Sequence, residues 1–324
     1  MGFFDRLYYG KAGKRDYSEM DMPKNRVSLF FLVLKDHLFD LIKVNLLQLV
    51  FWIPFIIWTY LNLMAIQSLD IAAVMGTENG AAVLLSEIAS FVVMWLIGLV
   101  PCIAITGPSS AGAAYIMRNW ARDQHAFLFS DFKDAFKGNW KQALGVSVLT
   151  SFAPLLTYTA VAYYGQLANS NLAMMLPLVL VVAVMMVWTL MLPLLYPMMI
   201  GYELTFRNLI KNALLMAVAC LPKMVLSRII TFIPLAILFV FGVYYGYGIV
   251  IVIMVLYYLL FGFAFSKLVY ASFANGVFDK YLNPHIEGAQ VGMGLRPDDA
   301  ELYDDLDDDE DEEDEEQEDE NDEE

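Results

Sequence analysis

Cysteine and histidine are scarce in this chain. Cys102 and Cys220 are the two cysteines in 324 residues, both in apolar stretches, and His37, His125 and His285 lie far apart. That leaves no disulfide framework and no paired spacing for a metal; the cysteines read as buried small hydrophobes. Charge is thin too: 17 % of residues are Asp, Glu, Lys or Arg, against 59 % hydrophobic. There is no His-Glu-x-x-His, no nucleophile elbow and no carboxylate pair inside an apolar run, which argues against an enzyme and implies no cofactor. The first 25 residues lack the apolar core of a removable signal peptide, so the first spanning helix is the expected insertion signal.

What the chain has in excess is apolar surface. Mean hydropathy is +0.54, and soluble domains hold only about 45–50 % apolar residues. A lipid bilayer absorbs that excess, because ~20 apolar residues in a helix match its hydrocarbon layer. The formal net charge of −16 does not contradict this. Of the 36 acidic residues, 21 lie between Asp298 and Glu324, where there is no Lys or Arg. The remainder carries 15 acids against 20 bases, a net of +5.

Six apolar segments are long enough to span: Leu46–Ile66, Val83–Thr106, Ala143–Tyr164, Leu172–Tyr196, Met224–Tyr244 and Ile249–Phe273. None shows the period-2 alternation of a barrel strand, so the expected fold is an all-α transmembrane bundle. The connections Gln67–Ala82, Gly165–Asn171 and Gly242–Gly248 hold no Lys or Arg. Lys11, Lys14, Arg15, Lys24 and Arg26 precede the first span, Arg118, Arg122, Lys133 and Lys137 follow the second, and Arg207 and Lys211 follow the fourth. By the positive-inside rule this places both termini in the cytoplasm, in a multi-pass protein of the cell membrane. The expected organisation is a basic segment over 1–26, a six-span domain over 27–281 and a disordered acidic tail over 282–324. Interfacial helices occupy about 110–141 on the cytoplasmic side.

Short basic approaches, Leu41–Asn45, Ala135–Asn139 and Leu209–Asn212, precede three spanning pairs, which suggests three related hairpins. Pro54, Pro101, Pro154, Pro177, Pro193, Pro197, Pro222 and Pro234 fall in or beside the apolar runs. Such prolines kink spans and in carriers build substrate sites, although they also merely shape packing. Glu87, Lys223, Arg228 and Lys267 lie near span ends, where long side chains snorkel to an interface.

The densest pattern starts at Thr106-Gly107-Pro108 and continues through the small residues Ser109 to Ala114. Ala111, Gly112 and Ala114 permit close helix contact. Phe129, Phe132, Phe136 and Trp140 follow at spacings of three, four and four, interleaved with Asp131, Lys133, Asp134 and Lys137. This is an amphipathic segment at the membrane surface, either an anchor or a docking face. Gly10-Lys11-Ala12-Gly13-Lys14-Arg15 lacks the gap and the Ser/Thr of a phosphate loop, and reads as a basic segment near anionic lipid. From Asp298 the tail is too charged and too polar to fold. It offers an acidic arm to a basic cytoplasmic protein and repels nucleic acid.

Asn45-Leu46-Leu47, the run from Thr106-Gly107-Pro108 to Leu144, and Asn208–Leu215 together resemble the YesL-like family of integral membrane proteins, found largely in Gram-positive bacteria. The resemblance covers roughly Leu41–Tyr281. It implies unknown molecular function with an association with carbohydrate ABC importers, as a possible partner of the permease or ATPase. The chain lacks the permease's own Glu-Ala-Ala…Gly docking loop. Candidate structural or interaction residues are Asn45, Thr106, Gly107, Pro108, Phe129, Phe132, Phe136, Asn139 and Trp140. The expected role is a non-enzymatic accessory or assembly partner of such an importer. The alternatives are a carrier or channel using proline-broken spans, or a membrane scaffold acting through the acidic tail.

Overall fold

Backbone polar groups in lipid must be satisfied within the segment, and apolar runs without alternation do this as helices. The computed structural model describes residues 22–77 and 79–297, and their regular structure is helical. The order is α1 (Arg26–Asp36), α2 (Leu38–Gln67), α3 (Ile71–Met75), α4 (Gly80–Ala104), α5 (Thr106–Trp120), α6 (Leu128–Ala168) and α7 (Met175–Gly201). Then come α8 (Phe206–Ala219), α9 (Leu221–Tyr245), α10 (Tyr247–Tyr257), a π-helical turn (Tyr258–Gly262) and α11 (Phe263–Tyr281). Six stretches are long and apolar enough to cross a membrane: Leu38–Gln67, Gly80–Ala104, Leu128–Ala168, Leu172–Gly201, Leu221–Tyr245 and Gly248–His285. The protein is a polytopic all-α bundle.

Several spans begin before their apolar runs. Helix α6 has 41 residues, which at ~1.5 Å per residue is about 60 Å, twice the hydrocarbon thickness. The amphipathic segment expected at the interface is therefore the first third of this rod. It does not lie flat as a separate helix, because nothing in its sequence ends the helix before Ala143. The prolines do not break the spans either. Pro54, Pro101, Pro154, Pro193, Pro197 and Pro234 lie inside helices that continue through them. Pro222 sits in the first turn of α9, where its missing N–H has no partner to lose. The π-helical turn in the interior of the last span, Tyr258–Gly262, contains no proline.

Connections without Lys or Arg gather at one end, here the distal end; α1, α5, α8 and the first third of α6 gather at the other, the basal end. Roughly 20 residues counted from the distal end of each span, the thickness of the hydrocarbon layer, stop near Gln48, Leu99, Leu149, Met191, Leu226 and Lys267. Dense packing begins about there. One core joins α5, α6, α7, α8 and α11 through Ala111, Ala143, Leu194, Leu209 and Phe278. A second joins α1, α2, α5 and α11 through Leu29, Leu41, Ile116, Trp120 and Leu268.

The expected threefold repetition is not geometric. The first two basic approaches run unbroken into their spans, whereas α8 is a separate helix capped by Thr205 and ended at Cys220.

Candidate functional site

Helix α5 is the hub of the basal layer. Thirteen of its fifteen residues are buried, and it contributes to both cores. Its small side chains make this possible. A Cβ on Gly107 would collide with the carbonyl of Ala143 and the hydroxyl of Ser147, and one on Gly112 would lie 2.8 Å from the Phe132 carbonyl. Hydroxyls in this tight packing are satisfied locally: Thr106 donates to Ile103 O (2.8 Å), Ser109 to Thr106 O (2.8 Å) and Ser147 to Ala104 O (2.6 Å). Pro108 occupies the first turn, where the helix requires no N–H from it.

Asn45 is fully buried and joins the first span to the last. Its Nδ2 donates to the carbonyls of Tyr258 and Leu259, both at 2.8 Å. Its Oδ1 accepts from the amides of Phe263 (2.9 Å) and Ala264 (3.0 Å). A π-helical turn displaces the regular i→i−4 ladder, and one carboxamide, with two donors and one carbonyl, fits the groups left over. Two unpartnered buried groups flank this clamp: Gln48 Nε2, one turn along α2, and the Tyr257 hydroxyl.

The aromatic stripe divides. Phe132 is buried against Gly112, and Phe136 is half-buried, its ring 5.4 Å from Phe51. Phe129 and Trp140 are exposed, alongside Lys133, Lys137 and Lys141. A docking face that includes Phe132 is thus corrected to one bounded by Phe129 and Trp140. Burying Phe132 fills the space that Gly112 leaves open. Asn139 donates to Ala135 O one turn earlier (3.1 Å). With Gln142 it also lines a polar groove of about 390 Å³, closed on the other side by Gly201, Tyr202, Glu203 and Leu204. Gln142 donates to Leu204 O across it (2.7 Å).

A polar network below α5 gave no sign in the sequence. Arg26 pairs with Asp279 and donates to the carbonyls of Ala121 (3.1 Å) and Met293 (3.0 Å). Tyr202 donates to Asn283 (2.6 Å), which donates to Asp279 (2.6 Å). Burial draws the Arg26 guanidinium below its ordinary value, opposed by Asp279. Burial and then the neighbouring Arg122 charge do the same to Arg118. Burial pushes the Tyr202 hydroxyl up to about 12. The backbone of 290–296 closes the network: Gln290 O accepts from Arg122, Gly292 N donates to Asp279, and Arg296 N donates to Pro23 O. The segment expected to be tail from 282 is therefore packed as far as Pro297. Gly292 and Gly294 adopt positive φ there and make the turn that aims these backbone groups inward. The acidic run from Asp298 and the basic segment 1–21 lie outside the described residues. Among the described residues, no three His, Cys, Asp or Glu side chains come together.

Residues 88–161 match the family described as "Protein of unknown function, DUF624". The matched stretch holds the basal half of α4, all of α5 and most of α6, the elements that build the small-residue hub. No curated protein and no solved structure matches the chain.

Proposed function

We propose that this chain is a YesL-like protein of the cell membrane, with its basal end and both termini in the cytoplasm, acting without catalysis as an accessory or assembly partner of a carbohydrate ABC importer. The observation that carries this reading is the exposed face of α6 with Phe129, Trp140 and three lysines, on a helix that also lines the polar groove of Asn139, Gln142 and Glu203 from another side. A rigid projecting helix that presents an aromatic side chain and a polar groove suits protein contact, where aromatic anchors contribute most of the affinity. Within this reading the acidic run from Asp298 supplies a second, electrostatic contact to a basic cytoplasmic surface. The far half supports a carrier less well: the groove between α6 and α7, about 470 Å³, is walled almost wholly by Leu156, Ala160, Leu180, Val181 and similar side chains. A carrier or channel remains the second reading because of the unpartnered Gln48 amide and Tyr257 hydroxyl beside a π-helical turn.

The test is purification of the tagged full chain in mild detergent, followed by mass spectrometry of accompanying proteins. Stoichiometric recovery of an ABC permease or ATPase is expected, with at least tenfold loss in Trp140→Ala at unchanged thermal stability. Recovery of the protein alone, together with substrate flux in vesicles that Gln48→Leu abolishes, would replace this reading with the carrier.

A further inference from the structure

Arg228 and Lys267 do not snorkel outward as their positions near span ends lead one to expect. The Arg228 guanidinium turns onto the neighbouring span, where Nε donates to Thr189 O (2.8 Å), Nη2 donates to the same carbonyl, and Nη1 donates to the Tyr270 hydroxyl (2.7 Å). Lys267 Nζ lies 4.4 Å from the centre of the Tyr196 ring. These partners are all uncharged, and among the described residues neither cation has a carboxylate within ion-pair distance. A half-buried cation whose partners are all neutral is unfavourable without an anion. Their depth is informative: both lie within a few residues of the level where the hydrocarbon thickness runs out.

Arg228 also lines a cavity of about 510 Å³ between α7 and α9, beside Thr189 and about one turn above Val225. Its walls are Met186 and Leu190 on one helix and Ile229, Phe232, Ile233 and Ala236 on the other. From Arg228 to Ala236 the groove climbs roughly 12 Å along α9 at ~1.5 Å per residue. It holds one cation, Arg228, toward its basal end and continues as hydrocarbon wall toward the distal end. Phenol and threonine groups beside Arg228 add neutral hydrogen-bonding capacity at the same level, and Thr231 Oγ1 lies 3.3 Å from Tyr270 OH.

We propose that this groove holds one anionic phospholipid of the basal leaflet, its phosphate at Arg228 and an acyl chain along Ile229 to Ala236. Charge complementarity selects the head, and the apolar walls select a lipid over a small soluble anion. The site lies outside the 88–161 family match, and it is independent of the partner docking proposed for α6. Arg228 beside it ties α9 to α7 through Thr189 O and to α11 through the Tyr270 hydroxyl.

The experiment uses the full chain in mild detergent, with native mass spectrometry for retained lipid and thermal unfolding for its effect. Phosphatidylglycerol is expected to stay bound at one per chain and to raise the unfolding temperature by several degrees. Phosphatidylcholine at equal concentration should do neither. Arg228→Gln is expected to lose retention at least tenfold. Because that change also removes the bond to Thr189, Ala236→Phe serves as a second variant, which fills the groove and leaves Arg228 in place; it too should lose the lipid. Equal stabilisation by phosphatidylcholine would overturn the role of the cation. Equal stabilisation by inorganic phosphate alone would overturn the lipid in favour of a soluble anion. Full retention in Ala236→Phe would overturn the groove.

Discussion

Helix α7 passes through two environments. None of its side chains from Met175 to Leu190 is buried, whereas Met191 and Pro193 to Met199 all are. Neither half contains a charged residue, so charge does not separate them. What differs is the neighbour. The distal half faces its surroundings through Leu176, Val179 and Leu180, while the basal half meets α5, α6, α8 and α11. Lipid tails are as apolar as leucine, so the distal half gains little from helix contact. Below that level, exposure to water or headgroups drives burial, and helices pack at interior density. Stability in this protein should therefore reside in the basal layer.

The largest break in that contrast should come from two buried asparagines. Asn45→Ala removes four hydrogen bonds to the backbone in and just after the π-helical turn and should cost about 3 kcal/mol or more. Asn62, nearly as buried in the distal half, bonds among the described residues only to Trp58 O on its own helix (3.0 Å). Asn62→Ala should cost about 1 kcal/mol. Thermal unfolding in detergent checks both, and similar losses would mean the two layers share the load. A smaller effect is expected from paired glycines. Gly107→Ala drives a methyl into the Ala143 carbonyl and should destabilise by about 1–3 kcal/mol. A Cβ at Gly165, in the distal end of α6, meets nothing within 4 Å, so Gly165→Ala should be neutral or stabilise by up to about 1 kcal/mol. A larger cost at Gly165 would show distal packing that the structure does not contain.

The smallest effect concerns pH at the base. Tyr202 holds its proton up to about 12 when folded, against about 10 for an ordinary tyrosine. As pH rises from about 10 to about 12 the unfolded chain releases this proton first, and stability falls across that window. Tyr202→Phe should cost about 1 kcal/mol at neutral pH through the lost bond to Asn283, and should flatten the alkaline decline. An unchanged pH profile would assign the decline to other groups.

The sequence revealed the spans because lipid imposes one rule on every residue in them, and a run such as Leu172–Tyr196 has no other home. It revealed Asn45 and Thr106-Gly107-Pro108 as unusual without giving their roles. The carboxamide at Asn45 matters because a turn more than two hundred residues later is π-helical, and no local spacing encodes that. Phe132 and Phe129 look alike along one stripe; only the gap at Gly112 decides which goes inside. The network of Arg26, Tyr202, Asp279 and Asn283 had no sequence signal beyond the helical spacing of Asp279 and Asn283, because its members come from three separate segments.

By itself, then, the chain determined six helices, their alternation, and which end carries the charge, because those follow from transfer of side chains and backbone between water and lipid. Tertiary structure alone decided that α5 is buried on every side, that residues 282–297 pack against the base, and that Arg228 and Lys267 turn inward together. Each of these depends on contacts between residues distant in sequence, where shape and hydrogen-bond satisfaction outweigh local hydropathy.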